Sequence, residues 1–105
     1  MKRAEVWWVD LPSPAGSRPA VVLTRDTVLD TIGSIVVAVV TRTDRGLDTE
    51  VRLGRREGLP RPCVASLDNI LTVPRRRFVR LMGSLSREQV KELNAAIIMA
   101  LGVQS

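Results

Sequence analysis

Short apolar segments separated by turn residues make up the first three quarters of the chain. Residues 19–24 and 34–41 are continuous apolar runs, as is typical of strands that are buried on both faces. Residues 49–54 alternate instead, which places Val51 and Leu53 on one face of a strand. The pattern predicts five to seven short strands, with candidate segments at 4–11, 19–24, 34–41, 49–54, 63–73 and 75–83.

Two stretches interrupt this pattern. RDTVLDTIG, which lies between the second and third segments, predicts either one helical turn or an irregular crossover. In segment 63–73 the residues from Ser66 to Asn69 are too polar for an uninterrupted buried strand. We therefore expect a bend or a functional interruption in the middle of that strand.

The last part of the chain changes to helical periodicity. Ser86 and Gln89 have the spacing of a capping box, in which the two residues satisfy each other's backbone N–H groups. Gly102 follows the last periodic residue, and glycine readily adopts the left-handed conformation that ends many helices. These signals predict one amphipathic helix over residues 87–101.

The order of the elements predicts the fold class. Short strands followed by one helix predict a mainly β fold, an SH3-like small β-barrel with the helix packed at one side. Ile98 and Met99 widen the apolar face of the helix, which fits either a subunit contact or packing inside the chain. We expect a single domain over residues 1–105.

The charge balance indicates a polyanionic partner. The chain has 16 basic and 11 acidic residues, and the second half, residues 53–105, carries the whole surplus of +5. All but two of the basic residues are arginine, the side chain that binds phosphate in a bidentate manner. The alternative explanation is arginine usage that follows a GC-rich genome.

Histidine is absent and cysteine occurs once, at Cys63. These counts exclude an internal disulfide and argue against a soft-metal site, and they leave acid–base chemistry to Asp, Glu, Arg, Lys or hydroxyl groups. We expect Cys63 to be a buried apolar side chain rather than a nucleophile. No apolar run approaches the length of a membrane span and no signal-peptide pattern is present, so we expect a cytoplasmic protein with no membrane contact.

Polar side chains stand at the ends or in the middle of otherwise apolar segments. Arg18 precedes the second segment and Thr41 ends the third. If the segments pair within one sheet, these ends meet at one cleft. The other members of this constellation are Ser66 and Asp68 in the fifth segment, and Arg42 and Arg45 in the loop after Thr41.

Four stretches of the chain, in a fixed order, resemble the MazF/PemK/Kid family of toxin endoribonucleases. They are RAEVWWVDLPSPAGSRPAVVLTRD, the strand ending VAVVT at Thr41, GLPRPCVASLDNILTV and LMGSLSREQVKEL. The likeness runs from Arg3 to Leu101 with the spacing that is usual in the family. It implies an SH3-like barrel, a homodimer, and a cognate MazE-like antitoxin whose disordered tail folds into the RNA-binding groove.

The resemblance also implies an activity, the cleavage of single-stranded RNA without a metal or other cofactor. The ribose 2′-hydroxyl attacks the adjacent phosphorus and leaves a 2′,3′-cyclic phosphate and a 5′-hydroxyl. Arg18, Thr41 and Asp68 are the catalytic positions it implies. One branch of the family uses the carboxylate matching Asp68 as general base, but that branch has an arginine where this chain has Ser66 and a histidine that this chain lacks.

The chemistry of this reaction explains why these residue types are needed. Negative charge builds on the phosphate oxygens, and fixed donors about 3 Å away stabilise it. Arg18 offers a rigid five-donor fork beside Pro19, and Thr41 offers a hydroxyl. Because a guanidinium group is effectively never deprotonated in proteins, we interpret Arg18 as a stabiliser of the transition state rather than as a base.

The remaining candidates are expected to bind RNA. In an extended strand Arg75 and Arg77 share one face while Arg76 points the other way, so at most two of them line one groove. We expect such arginines to make salt-sensitive contacts with the RNA backbone. The predicted RNA-binding residues are Arg42, Arg45, Ser66, Asn69, Arg75 and Arg77.

Two tryptophans, Trp7 and Trp8, are adjacent in the first strand and must face opposite sides. We expect one of them to lie in the core. The other either packs against the protein, stacks on a base or covers a dimer contact.

Two other functions compete with the endoribonuclease. The first is a non-enzymatic toxin on the same barrel, resembling the gyrase-poisoning CcdB proteins, which use C-terminal residues for their target. This chain ends LGVQS and retains Arg18 and Thr41, which counts against that function. The second is a noncatalytic SH3-like RNA-binding module, which would bind RNA without cleaving it.

Overall fold

The computed structural model of the chain describes residues 1–103 as six strands and one α-helix. Three short 3₁₀ turns, at Asp26–Val28, Arg55–Glu57 and Arg75–Arg77, connect some of these elements. The strands and the helix are β1 (Glu5–Asp10), β2 (Ser17–Val22), β3 (Ser34–Thr41), β4 (Glu50–Leu53), β5 (Cys63–Pro74), β6 (Phe78–Ser84) and α1 (Arg87–Leu101).

All six strands belong to one curled sheet, a half-barrel, in the order β4-β5-β3-β2-β1-β6. Every neighbouring pair is antiparallel. The mainly β architecture with a C-terminal helix confirms the fold class that the sequence predicts. Of the two alternatives predicted between the second and third segments, the 3₁₀ turn at Asp26–Val28 corresponds to the helical turn.

The sheet is buried on both faces, as the continuous apolar runs predict. Val21 and Ala38 belong to one core cluster, on the face that α1 covers. Val22 and Val37 belong to a second cluster on the opposite face. Because side chains alternate along a strand, each uninterrupted run of β2 and β3 supplies both cores.

The polar middle of β5 is a bulge. Val39 of β3 pairs with Ser66, but the next β3 residue, Ala38, pairs with Ile70. The three residues between these partners on β5, Leu67 to Asn69, therefore have no counterpart on β3. Leu67 is buried whereas the two polar residues are exposed, which confirms the predicted interruption.

The arginines before β6 differ from the prediction. Arg75–Arg77 form a 3₁₀ turn and the strand begins only at Phe78, so the extended strand that placed Arg75 and Arg77 on one face is wrong. The physical reason is that two carbonyl oxygens near Arg75 need hydrogen-bond donors, which the Arg75 side chain supplies. The Arg75 guanidinium donates to the carbonyl oxygens of Leu29 and Ile32, at 2.8 Å for Ile32, and these carbonyls end a turn that offers them few backbone partners.

The helix has the predicted boundaries and cap. The Ser86 hydroxyl accepts a hydrogen bond from the Gln89 N–H at 3.2 Å, and the Gln89 side chain accepts one from the Ser86 N–H at 2.8 Å. Leu93 is fully buried against the sheet, whereas Ile98 and Met99 are 43% and 57% exposed. Packing inside the chain therefore does not account for the widened apolar face. No helix within residues 1–103 is long and apolar enough to cross a membrane.

The two tryptophans face opposite sides, as predicted, but neither is fully buried. Trp7 packs edge-on against Phe78 of β6, with ring centroids 6.1 Å apart, beside the second core cluster. The tryptophan expected in the core is thus Trp7, which packs against the second core cluster while it stays half-buried. Gln104 and Ser105, the end of the tail that argued against a gyrase poison, lie outside the described residues.

A segment between β4 and β5, residues 54–62, connects the two ends of the curled sheet. It leaves β4 at one edge, and its 3₁₀ turn packs against β6 at the other edge. The contact depends on two glycines, because a Cβ on Gly58 would overlap the Met82 carbonyl oxygen and a Cβ on Gly83 would overlap the Glu57 carbonyl oxygen. We call residues 54–62 the bridging segment.

Candidate functional site

A cleft of about 500 Å³ opens between the start of β2, the end of β3 and the bridging segment. Its volume is in the range of pockets that take small organic ligands. Side chains from β1, β5 and β6 complete its lining, which consists of Trp8, Ser17, Arg18, Pro19, Val40, Thr41, Arg42, Leu59, Pro60, Arg61, Cys63 and Met82.

The strand register brings Arg18 and Thr41 together. Ala20 of β2 pairs with Val39 of β3, and continuing this register by two residues places Arg18 opposite Thr41. On its other side Arg18 pairs with Val9 of β1, so it lies in the middle of the sheet. The sequence-based expectation that these two strand ends meet at one cleft agrees with this arrangement.

Arg18 is unusual because part of its guanidinium is buried without a partner. Its Nε atom is shielded from solvent and donates no hydrogen bond to any of residues 1–103. Leaving a buried donor unsatisfied typically costs about 1–3 kcal/mol, and more for a charged group. An anion in the cleft would supply the acceptor that this N–H group lacks.

Thr41 has a hydroxyl that is oriented by the following loop. Its oxygen accepts a hydrogen bond from the Thr43 backbone N–H at 3.2 Å. Because that bond uses an oxygen lone pair, the hydroxyl hydrogen remains available for donation to a ligand. The half-buried Thr41 side chain thus complements the guanidinium of Arg18 beside it.

The charged side chains that line the cleft are all positive. Arg18, Arg42 and Arg61 line it, and no carboxylate of residues 1–103 does. Within residues 1–103 the ion pairs are elsewhere, between Arg52 and Asp44 and between Lys91 and Glu88. Like charges concentrated in a cleft raise the local concentration of counter-ions, so this geometry favours a polyanionic ligand.

Apolar side chains form the floor between these arginines. Trp8, Pro19 and Val40 lie in one cross-strand row, and Leu59 and Met82 face them from the bridging segment and β6. The Arg80 guanidinium lies 5.9 Å from the centroid of the Trp8 ring. An aromatic floor under a cationic rim suits a nucleobase with its attached phosphate.

Arg61 is the cleft residue that the sequence reasoning missed. It lies in a bridging segment that the apolar pattern identifies only as a loop. One signal was available, because Arg61 precedes Pro62 just as Arg18 precedes Pro19. Proline restricts the backbone of the residue before it, which favours a defined position for the side chain.

A second polar group lies at the β5 bulge, outside the cleft lining. Asp68 accepts a hydrogen bond from the Thr49 hydroxyl at 2.5 Å, and Ser66 and Asn69 are its neighbours on β5. The predicted catalytic carboxylate is therefore not among the residues that line the cleft with Arg18.

The loop between β3 and β4 is held by carboxylates. The Glu50 carboxylate accepts hydrogen bonds from the backbone N–H groups of Arg45 and Leu47 at 3.1 and 3.0 Å, and Asp44 accepts one from Gly46 at 2.8 Å. Arg45 is thereby fixed in an exposed loop, whereas Arg42 at the start of the loop lines the cleft.

Arg75 and Arg77 lie apart from the cleft. The guanidinium of Arg75 is bonded to backbone carbonyl oxygens, which is a structural contact. Arg77 borders a separate groove between the loop 12–15 and the end of β5, residues 71–74. The cleft thus gathers Arg18, Thr41 and Arg42 from the predicted residues and leaves out Arg45, Ser66, Asp68, Asn69, Arg75 and Arg77.

Cys63 is buried, as predicted. Burial raises the pKa of its thiol, and the negative charge of Glu57 raises it further. A raised pKa leaves little thiolate at neutral pH, so Cys63 is a poor nucleophile although it borders the cleft. Among residues 1–103, no three His, Cys, Asp or Glu side chains come close enough together to hold a metal ion.

A curled six-stranded sheet with a cationic cleft at its strand ends defines a class, the small β proteins whose cleft suits a polyanionic ligand. Residues 2–101 match the family described as PemK-like, MazF-like toxin of type II toxin-antitoxin systems. The chain belongs to this family of toxins.

Individual relatives agree with this assignment. The chain is similar to the probable endoribonuclease MazF2 of Mycobacterium tuberculosis, with 45% identity over 88% of this chain and 89% of the relative. It is similar to the endoribonuclease MazF3 of the same species, with 40% identity over 77% and 79% of the two chains. Among solved structures, the Mycobacterium tuberculosis toxin MazF-mt6 superimposes with a TM-score of 0.90 at 34% identity, covering 96% of this chain and 99% of that one.

Proposed function

We propose that this protein is the toxin of a type II toxin-antitoxin system and acts as an endoribonuclease on single-stranded RNA. The cleft carries the proposal, because a buried Arg18 N–H group that has no acceptor among residues 1–103 lies beside the available hydroxyl of Thr41. Family membership and the endoribonuclease names of its relatives support the same function.

The proposed reaction needs no metal ion. The ribose 2′-hydroxyl loses its proton as its oxygen forms a bond to the adjacent phosphorus. The bond from phosphorus to the 5′-oxygen breaks, and that oxygen takes up a proton. The products are a 2′,3′-cyclic phosphate and a 5′-hydroxyl. Arg18 and Thr41 would donate to the non-bridging oxygens, on which negative charge builds.

Asp68 keeps its proton-transfer role only as a prediction. Its carboxylate lies at the β5 bulge and is engaged with Thr49 rather than with Arg18 or Thr41. In the proposed site, Arg18 and Thr41 stabilise charge, and Arg42 binds the RNA backbone. Ser66, Asn69, Arg45 and Arg77 are proposed contacts for RNA that extends beyond the cleft. The same role for Arg75 stays a prediction, because its guanidinium already donates to backbone carbonyl oxygens.

The proposal includes two protein partners. A cognate antitoxin would inhibit the enzyme by placing an acidic segment in the cationic cleft, since that segment satisfies the same donors as a phosphate. A second copy of the chain would form a homodimer across whose interface the RNA lies. The exposed apolar residues Ile98, Met99 and Leu101 of α1 fit such a contact.

Incubation of the purified protein with a long RNA in EDTA tests the function. We expect cleavage at defined sites, with a cyclic phosphate on one product and a 5′-hydroxyl on the other. A substrate with 2′-deoxyribose on the 5′ side of the mapped bond is expected to stay intact, because it lacks the attacking oxygen. Cleavage of that substrate would contradict the mechanism, and an intact natural RNA would contradict the function.

Thr41→Val is expected to lower kcat by about 10²-fold, because it removes one donor to the developing phosphate charge and keeps the β-branched shape. Single-turnover cleavage of an RNA with one mapped site measures the effect. Thr43→Val is the matched control, since the exposed Thr43 contributes its backbone N–H and not its hydroxyl to the hydrogen bond with Thr41. Equal cleavage rates for the two variants would show that the Thr41 hydroxyl takes no part in the reaction.

A further inference from the structure

We propose that Arg61 is a substrate-binding residue that contacts a phosphate next to the scissile one, across the cleft from Arg18. This inference rests on the proposed function and adds a residue that the sequence pattern does not single out. Arg18 approaches the cleft from β2, whereas Arg61 approaches it from the bridging segment. The two guanidinium groups therefore reach the ligand from different walls.

The backbone of Arg61 is held in place by its surroundings. The buried carboxylate of Glu57 accepts a hydrogen bond from the Gly54 N–H at 2.8 Å, and the Leu59 N–H donates to the Gly54 carbonyl at 3.2 Å. Gly58 brings the segment against the backbone of β6. Rigid support of this kind is what a binding site needs from the residues behind it.

The side chain of Arg61, in contrast, is unengaged. It is exposed, and it forms no ion pair or hydrogen bond with any of residues 1–103. Prolines on both sides, Pro60 and Pro62, limit the directions in which it leaves the backbone. A restrained arginine that forms no ion pair within residues 1–103 and shares a cleft with Arg18 and Arg42 contributes little to folding, which favours a role in binding an anion.

The cleft is larger than a single phosphate group requires. A single phosphate is satisfied by the fork of Arg18 and the hydroxyl of Thr41, while the cleft holds about 500 Å³ and an apolar floor. A base and sugar on that floor separate two consecutive phosphates of the strand. Arg61 is the cationic side chain on the wall where the second phosphate would lie.

Binding of a non-cleavable RNA tests this assignment. The probe is a fluorescent oligonucleotide that contains the mapped cleavage site with 2′-deoxyribose at the attacking position, titrated by anisotropy at several salt concentrations. Arg61→Ala is expected to weaken binding about tenfold and to reduce the salt slope by about 0.7, the value for one lost phosphate contact on a single strand. On the natural RNA, we expect KM to rise and kcat to stay within about threefold.

Two variants control the measurement. Arg56→Ala removes an exposed arginine of the same bridging segment outside the cleft, and it is expected to leave the affinity unchanged. Arg61→Lys keeps the charge and is expected to restore the wild-type salt slope, which a merely structural role of Arg61 does not predict.

Three results would overturn the inference: equal salt slopes for Arg61→Ala and the wild type, the same loss in Arg56→Ala, or a fall in kcat with unchanged affinity. Failure of the wild type to bind or cleave RNA would instead overturn the proposed function.

Discussion

Arg18→Ala is expected to lower the rate of RNA cleavage by about 10³-fold, at the upper end of what one oxyanion donor contributes. The variant loses a guanidinium whose Nε is buried beside Thr41 and has no acceptor in the described part of the chain. Single-turnover cleavage at saturating enzyme measures the loss, because it separates the chemical step from binding.

Folding of this variant should not suffer. Removing a buried N–H group that has no acceptor in residues 1–103 relieves a desolvation cost, so the midpoint of thermal unfolding is expected to stay equal or to rise. Arg25→Ala is the matched control, since Arg25 follows the same strand but is exposed and does not line the cleft. Arg18→Lys tests geometry, because lysine keeps the charge without the fork. Arg18→Ala with near wild-type turnover would remove Arg18 from the reaction.

Gly58→Ala is expected to lower the free energy of unfolding by about 3 kcal/mol, the sum of a steric overlap and a strained backbone angle. Gly58 has a φ of +85°, and its added Cβ would overlap the Met82 carbonyl oxygen. That oxygen belongs to backbone and has little room to move, because Gly83 beside it packs equally closely on Glu57. Urea unfolding followed by tryptophan fluorescence measures the change.

Gly33→Ala is the control for this substitution, because nothing lies within 4 Å of its added Cβ. We expect its unfolding midpoint to match that of the wild type. Gly58→Ala should also weaken RNA binding, since the bridging segment that it displaces carries Leu59 and Arg61 into the cleft. An unchanged midpoint for Gly58→Ala would show that the contact with β6 is not a rigid one.

The glycines behind the cleft stabilise the free protein, whereas the arginines that line the cleft destabilise it. Gly58 and Gly83 allow a close backbone contact that fixes one wall of the cleft. Arg18, Arg42 and Arg61 place positive charge in one cleft that no carboxylate of the described residues lines, which disfavours the free protein. An RNA strand or an acidic segment of an antitoxin would relieve that repulsion, so we expect both to raise the unfolding temperature.

The sequence by itself determined the elements whose signals are local. The apolar run of β3 has the observed boundaries, because a strand buried on both faces needs an unbroken series of apolar residues. The Ser86 cap and the periodicity after it fixed the helix, since both act within a few residues. The polar residues after Ser66 marked the bulge, and Arg18 and Thr41 were found at strand ends that the register brings together.

Only the tertiary structure decided which candidates share a site. The sequence offered Asp68 as a catalytic candidate and Arg75 as an RNA-binding one, but Asp68 bonds to Thr49 and Arg75 to backbone carbonyls of a distant turn. Arg61 joins the cleft because the sheet curls until the bridging segment meets β6. The local sequence pattern of neither part predicts this contact. Periodicity reports which face of an element is buried, whereas the curl of a sheet depends on all its strands at once.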